Sequence, residues 1–359
     1  MRVLHVDSGR IWRGGQNQVR LLLRELARKP EVHQSLFTKH GSELARRAGE
    51  LAVSVTGVRW TLGIDPWAAW RLAWHLVRAR PQIVHAHDSH ALSVILLAFA
   101  MTERAVVKRW ARGYERPRLI VTRRVDFHLR HARSWRRADR IIAISAAVKA
   151  MLVRDGIPDR DVVVVPSGID AEEVRHAARR PSNVRSRLGL SPDALVAANV
   201  AALVDHKDQL TLVRAAARAR ALAPGLHWVI AGEGERRRLL EREIAAQGVA
   251  DRVHLLGYVE EADALIREAD VFVMSSKEEG LGSVVLDALA LERPVVATAG
   301  GGLPEILPAE CLVPVGDAEA LALKVAQTLA HPPSPVPLPA RFTARAMGDG
   351  VLAAYRSLV

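Results

Sequence analysis

The sequence predicts an α/β protein built from two Rossmann-like, doubly wound domains facing a central cleft. Three observations predict it. Short Val- and Ile-rich runs alternate with longer amphipathic stretches, the pattern of parallel sheets covered by helices. That alternation occurs twice, once before about residue 165 and again from Ala194 onward. The chain has 359 residues, enough for two domains at roughly 100–200 residues each.

In the first series the expected strands are Arg2–Val6, His33–Phe37, Ala52–Val55, Ile83–Ala86, Leu119–Thr122, Arg140–Ile144 and Val162–Val165. Helical spacing falls between them, as in Gln16–Arg28, Pro66–Arg78 and Ala146–Arg154. The second series runs through Leu195–Val200, Leu226–Ala231, Arg252–Leu255, Asp270–Met274, Pro294–Ala297 and Cys311–Val313, with helices such as Gln209–Leu222, Glu235–Gln247 and Val284–Leu291. The junction falls at Val165–Asp170, where a strand runs into Pro and Gly. Five prolines in His331–Ala340 exclude a helix interior and mark an extended connector. A last helix, Phe342–Leu358, can then return to the first domain. The expected domains are 1–165 plus 342–359, and 166–341.

Composition narrows the class. Hydrophobic residues at 49% and charged residues at 25% exclude a disordered chain. A single cysteine, Cys311, excludes an internal disulfide framework and a cysteine-based zinc site. Met1–Val6 reads as a buried strand and lacks the pattern of a secretory leader. The longest apolar run, Ala91–Met101, is broken only by Ser93 and falls short of the ~20 residues of a membrane span. The expectation is a cytoplasmic chain that is not an integral membrane protein.

Ligands of doubly wound sheets collect beyond the carboxyl ends of the strands, so the loops there hold the candidate chemistry. Ser275–Ala290 is the most informative. Gly280 and Gly282 let backbone amides approach a ligand, and a helix beginning near Ser283 points its N-terminus at the same place. A diphosphate suits that geometry. Glu279 in the loop and Asp287 about one turn into the helix offer carboxylates to the neutral hydroxyls of a sugar. Lys207 is one of only seven lysines in a chain with 44 arginines, and its compact charge suits a phosphate oxygen. Gly14 and Gly15 sit just before a helix, with Gln16 at its start. His85, His87, Asp88 and His90 form the nearest approach to a metal-ligand cluster. Strand alternation and a turn are expected to scatter them, so no metal site is assigned. Trp67, Trp70 and Trp74 have helical spacing and are expected in the core.

These pieces resemble the retaining glycosyltransferases of family 4, the group 1 glycosyl transferases of GT-B fold. Ser275–Ala290 is similar to their E-x7-E signature, and Gly301-Gly-Leu-Pro-Glu305 follows it as in that family. Gly14–Gly15, His85–His87, Ile144–Ser145, Pro166–Asp170, Ala231–Glu235, Leu256–Tyr258 and the terminal helix with Tyr355 fall in the same order. The resemblance implies that Glu279 binds donor sugar hydroxyls. Gly280, Leu281, Gly282 and Ser283 would cradle sugar and phosphate, with Gly14, Gly15, Gly234, Tyr258 and Val259 also lining the donor site. It places His87 near the reacting sugar carbon, and Lys207 with Glu279 among the catalytic groups. Two positions depart from the family. Asp287 stands where a longer Glu usually contacts the ribose, and Ala202 where an Arg usually joins the Lys on the diphosphate; His206 is a candidate replacement for that charge.

Charge is distributed unevenly. Residues 1–165 hold 30 Lys/Arg against 14 Asp/Glu, leaving 21 against 25 in the remainder. Arg104–Arg140 alone has 13 basic and 3 acidic residues, interleaved with Trp110, Tyr114, Phe127 and Trp135. Such a segment suits the anionic inner face of the cytoplasmic membrane. No helix-turn-helix, RRM or zinc-finger pattern points to nucleic acid. The combined expectation is a metal-independent hexosyltransferase without a cofactor. It would carry sugar from a nucleotide diphosphate donor to a membrane-associated glycan, as in lipopolysaccharide biosynthesis. Two other classes stand beside it: a non-catalytic nucleotide-sugar-binding protein, and an epimerase of the same architecture.

Overall fold

Strands that alternate with helices have no hairpin partner and pair in parallel. The computed structural model, which describes residues 1–51, 53–103 and 114–359, shows parallel pairing throughout. The chain divides into two compact units, Met1–Gly168 with Thr343–Val359, and Ile169–Phe342.

In the first unit the strands are β1 (Arg2–Asp7), β2 (His33–Lys39), β3 (Ser54–Val58), β4 (Ile83–Ala86), β5 (Arg118–Arg123), β6 (Arg140–Ala143) and β7 (Val162–Val164). They lie in the order β3-β2-β1-β4-β5-β6-β7. The third strand is Ser54–Val58, paired to β2 from Ser35–Ser54 to Lys39–Val58, and the expected start at Ala52 lies outside the described residues. In the second unit, β8 (Leu195–Val200), β9 (Leu226–Ala231), β10 (Val253–Gly257), β11 (Val271–Met274), β12 (Val295–Thr298) and β13 (Leu312–Val313) form a sheet ordered β10-β9-β8-β11-β12-β13. Each sheet reverses its winding once, between β1 and β4 in the first unit and between β8 and β11 in the second. Those reversals open the crevices in which such folds take ligands.

Three helix starts follow side-chain caps. Asp65 accepts from the Ala68 amide at 3.0 Å ahead of Pro66, and Ser145 accepts from Val148 at 3.0 Å. Thr343 does the same for Ala346 at 3.2 Å, opening the terminal helix Ala344–Arg356. That helix packs on Gly14–Ala27 within the first unit. Gly348 lies so close to Glu25 that an added Cβ would sit 2.7 Å from the Glu25 Cβ. Val351, Leu352 and Tyr355 close a core with Val3, Leu22, Ile83, Ile120 and Ile142. The second core gathers Trp228, Leu212, Val271, Val273 and Leu321.

The tryptophan expectation is overturned. Trp67, Trp70 and Trp74 are 56%, 43% and 41% exposed, while Ala68, Ala69, Leu72, Ala73 and Leu76 form the buried face of helix Pro66–Ala79. The helix has two apolar faces, and the one with small side chains packs against helix Ser89–Glu103. Periodicity shows that a face exists without saying which face is covered.

Part of the basic segment, residues 104–113 with Trp110, lies outside the described residues. In the rest, many charges are used internally. Arg116 and Arg118 pair with Asp139. Arg124 donates to the His87 carbonyl, Arg136 to Gly156 and Arg140 to Arg160. Trp135 is buried beneath the Arg123 guanidinium instead of standing at the surface.

The Tyr355 hydroxyl meets His85 Nδ1 at 2.6 Å, and both side chains are buried. Tyr355→Phe strands a buried ring nitrogen at a cost of about 1–3 kcal/mol. Urea unfolding is expected to show that loss with an unchanged m-value.

Candidate functional site

The crevice between β8 and β11 brings the leading sequence candidates together. After β8 the chain passes through the short turn Asp205–Lys207 into Asp208, whose φ of 47° is left-handed. After β11 it forms the Ser275–Gly282 loop. Lys207 Nζ and the Glu279 carboxylate form an ion pair across these two loops, with side chains only 17% and 12% exposed. Ser276 Oγ reaches the same carboxylate oxygen at 3.3 Å. The Ser275 hydroxyl donates to the Lys207 carbonyl at 3.0 Å, and the Lys277 amide donates to the His206 carbonyl at 2.9 Å. His206 thus anchors the loop through its backbone.

Glycines set the depth of this site. Gly282 has φ 89° and stands immediately before helix Ser283–Ala290, whose start has no side-chain cap. Its first-turn amides therefore present partial positive charge beside Glu279, Gly280 and the buried Leu281. Behind the loop, an added Cβ at Gly300 would overlap the Ser276 carbonyl, and one at Gly302 would lie 2.6 Å from the Gly280 carbonyl. The Gly302 amide donates to the Glu279 carbonyl at 2.7 Å. The Gly301–Glu305 motif thereby gains a local role, bracing the Glu279 loop from behind. Ser276 and Gly300 belong to the site without having been singled out from sequence; adjacency to the signature was the available signal.

Gly234 rests on the backbone of Leu203, where a Cβ would overlap the Leu203 carbonyl. This brings the β9 loop against Ala202, whose carbonyl accepts from Gln209 Nε2 at 3.0 Å. Tyr258 is 77% exposed at the end of β10, with Val259 half-buried beside it. Asp287 is partly buried. Burial holds its carboxyl well above the usual range, and the neighbouring Asp263 raises it further. Asp263 is itself pushed up to about 6, chiefly by burial and then by Glu173. A carboxyl in these surroundings is short of donors, which sugar or ribose hydroxyls can supply.

The first unit gathers a second polar cluster at its β1/β4 reversal. Contrary to the expected scattering, His85 and His87 come together with His5, which pairs with His85 across the strands. One ring nitrogen of each lies within 4.8 Å of the others. His5 Nδ1 and His87 Nε2 are 2.9 Å apart, and His85 bonds Thr122 Oγ1 and Tyr355. His87 Nδ1 is buried with no hydrogen-bond partner. Burial lowers all three imidazoles, keeping them neutral. Asp7 is raised to about 6 by burial and by Asp88, with the Gly9 amide and Arg124 opposing. Asp88 caps the next helix through the His90 and Ala91 amides at 2.9 Å each. Gly14 and Gly15 form the first turn of helix Gly14–Ala27 and not the loop before it, and Gln16 lies 3.4 Å from Asp7.

Two family models match this arrangement in chain order. Residues 12–173 match Glycosyltransferase Family 4, and residues 182–347 match Glycosyl transferases group 1. The chain belongs to the family 4, group 1 glycosyltransferases. Its second unit carries the segment that corresponds to the E-x7-E signature, from Glu279 to Asp287 with Asp at the closing position, and its first carries Gly14–Gly15 and His85–His87. The lipopolysaccharide core biosynthesis glycosyltransferase LpsE of Rhizobium meliloti is 34% identical over 150 residues, 41% of this chain and 43% of LpsE. The D-inositol 3-phosphate glycosyltransferase of Geodermatophilus obscurus is 33% identical over 249 residues, covering 66% of this chain and 51% of that protein. The matches thus span about half the length of these curated relatives. Among solved structures, Anabaena HepE in complex with UDP superposes with a TM-score of 0.78 at 17% identity, covering 99% of this chain and all of HepE, which establishes the GT-B fold.

Asp263 offers a test of the site's electrostatics. Its folded-state pKa lies above the unfolded value, so the folded protein retains a proton there that the unfolded chain loses between about pH 4 and 6. Stability from this group falls as pH rises through that window. Asp263→Asn removes the effect. Its gain over the parent chain should be near zero at pH 4 and grow toward about 3 kcal/mol above pH 6, as read by denaturant unfolding at each pH.

Proposed function

We propose that the chain is a retaining hexosyltransferase. It uses a nucleotide diphosphate sugar, UDP-sugar first and GDP-sugar second. Its acceptor is a membrane-associated glycan such as lipopolysaccharide core or a lipid-linked saccharide, reached from the cytoplasmic face of an anionic membrane. The observation that carries this reading is the Lys207–Glu279 pair set in a glycine-braced loop beside an uncapped helix start. A cation and free amides suit a diphosphate, and the carboxylate they leave behind suits sugar hydroxyls. The lipopolysaccharide and inositol-phosphate names of the relatives support the acceptor class, and the UDP bound to HepE supports the donor class.

In the proposed step, the bond between the anomeric carbon and the diphosphate oxygen breaks on the face where the acceptor hydroxyl attacks. The acceptor proton passes to the departing phosphate oxygen, and the nucleoside diphosphate leaves with the bonding electron pair. Lys207, with the amides of Gly280, Leu281, Gly282 and Ser283, stabilises the charge that develops there. Glu279 holds sugar hydroxyls, Asp287 the ribose, and Tyr258 with Val259 the base side. Gly234 keeps the β9 loop close, and Gly14 and Gly15 are the further positions that the family resemblance assigns to the donor. His87 would act through Nδ1, since Nε2 is committed to His5. In this reading Lys207 and the amides supply the positive charge, with no cofactor and no metal required.

A non-catalytic nucleotide-sugar-binding protein is the second reading, favoured by Ala202 and Asp287 at positions where the family usually carries larger polar groups. The experiment measures release of UDP or GDP from UDP-glucose or GDP-mannose in the presence of membrane extract. The parent chain should turn over, and Lys207→Ala and Glu279→Ala should each lose on the order of 100-fold in kcat. Asp287→Glu should retain activity, whereas Asp287→Ala should raise the donor KM. Unaltered turnover in both the Lys207 and Glu279 variants removes the site assignment, and tight binding without turnover in the parent supports the second reading.

A further inference from the structure

We infer that the outward face of helix Pro66–Ala79, with the turn before it, is a docking surface for an anionic lipid bilayer. Trp67 and Trp70 stack with ring centroids 4.9 Å apart, and Trp70 meets Trp74 edge-on at 6.3 Å. The turn adds Leu62 and Ile64, each 61% exposed. Together these side chains present on the order of 500 Å² of apolar surface, near the upper end for a surface patch without a partner. The inner face of the same helix already supplies Ala68, Ala69, Leu72, Ala73 and Leu76 to the core. The buried face of the helix is thus formed by residues other than the tryptophans.

The charge around them selects the partner. Between Glu50 and Asp88 the sole acidic residue is Asp65. It is buried and committed as the helix cap, accepting from the Thr61 and Ala68 amides at 2.9 and 3.0 Å. Arg59, Arg71 and Arg78 are exposed and make no ion pair among the described residues. Indole rings favour the headgroup boundary, where the ring is half-immersed and its N–H stays hydrated, and arginines beside them gain from anionic headgroups. No helix among the described residues is long and apolar enough to cross a membrane, so attachment here is to the surface. The inference rests on the membrane-acceptor reading for its use to the protein, but its geometry does not involve the Lys207–Glu279 site.

The test is cosedimentation of the full chain with phosphatidylcholine vesicles containing 30% phosphatidylglycerol, without donor, alongside quenching of tryptophan emission by brominated lipid. The parent chain should bind, be quenched and be released by high salt. The Trp67→Ser, Trp70→Ser, Trp74→Ser triple variant should bind at least tenfold more weakly and escape much of the quenching. Arg71→Glu with Arg78→Glu, a variant that leaves the apolar face intact, should lose the preference for the anionic vesicles. Undiminished binding of the triple variant, with the helical signal of the parent, overturns the assignment in favour of the basic segment. Concentration-dependent dimerisation abolished by the triple variant, without vesicle binding, overturns it in favour of a second copy. Donor turnover on a detergent-solubilised acceptor separates the two readings. Turnover retained by the triple variant with vesicle binding lost supports both, and vesicle binding without any turnover removes the transferase reading alone.

Discussion

The candidate site of the second unit is organised around one ion pair held between two loops. Lys207 and Glu279 approach the carboxyl ends of neighbouring strands from elements more than seventy residues apart, and both are largely withdrawn from water. Removing one partner from such a pair leaves the other charge poorly compensated, a cost of about 3–5 kcal/mol when burial is complete. The pair therefore holds the two loops together. On the proposed reading, a nucleotide diphosphate sugar exchanges partners without leaving either charge alone: phosphate oxygens take the ammonium, and sugar hydroxyls donate to the carboxylate. On the same reading, a ligand with phosphate but no sugar leaves the Glu279 carboxylate with Ser276 Oγ in place of the ammonium.

That exchange requires the carboxylate to stay in place while its partner changes. The backbone provides the restraint. The Gly302 amide holds the Glu279 carbonyl, Thr298 Oγ1 donates to the Ser276 carbonyl at 2.6 Å, and Gly300 allows the two loops to touch. None of these bonds uses a group that a donor would need. The loop is thus braced by atoms other than those the proposed reading assigns to the donor, which would let Glu279 change partners while the loop stays fixed.

Much of this was legible in the sequence because it is written in residue types with narrow uses. Gly280, Gly282 and the rare Lys207 mark a phosphate-friendly turn, and the alternation of Val-rich runs with helices gave both sheets. What escaped depends on contacts that sequence spacing does not encode. The state of Asp287 follows from its burial and then from Asp263, twenty-four residues away, which no motif links to it. The His5–His85–His87 grouping follows from the register of β1 against β4, which sets His5 beside His85, and from the His87 amide, which continues that pairing one residue past the strand by donating to the Val6 carbonyl. Gly14 reads as a loop residue by composition, yet the helix starts there without a cap. The tryptophan helix was misplaced because small and large apolar residues give the same periodicity on opposite faces.

Net charge in the first unit shows the same limit in another form. The excess of basic over acidic residues before residue 165 is not a surface charge of that size, because arginine also serves as a donor to backbone carbonyls. Arg124, Arg136 and Arg140 bind carbonyl oxygens, and Arg116 and Arg118 share one aspartate. A guanidinium is weakly hydrated and carries five donors, so it is used in this way at a lower desolvation cost than lysine. What faces solvent is set by which arginines lack carbonyl or carboxylate partners, and Arg59, Arg71 and Arg78 lie in a stretch whose sole acid is already a helix cap. Charge without an apolar anchor falls off within a Debye length, whereas aromatic side chains gain only on contact. A face that holds both can attract at a distance and hold at close range, which neither the basic segment nor the tryptophans would accomplish alone.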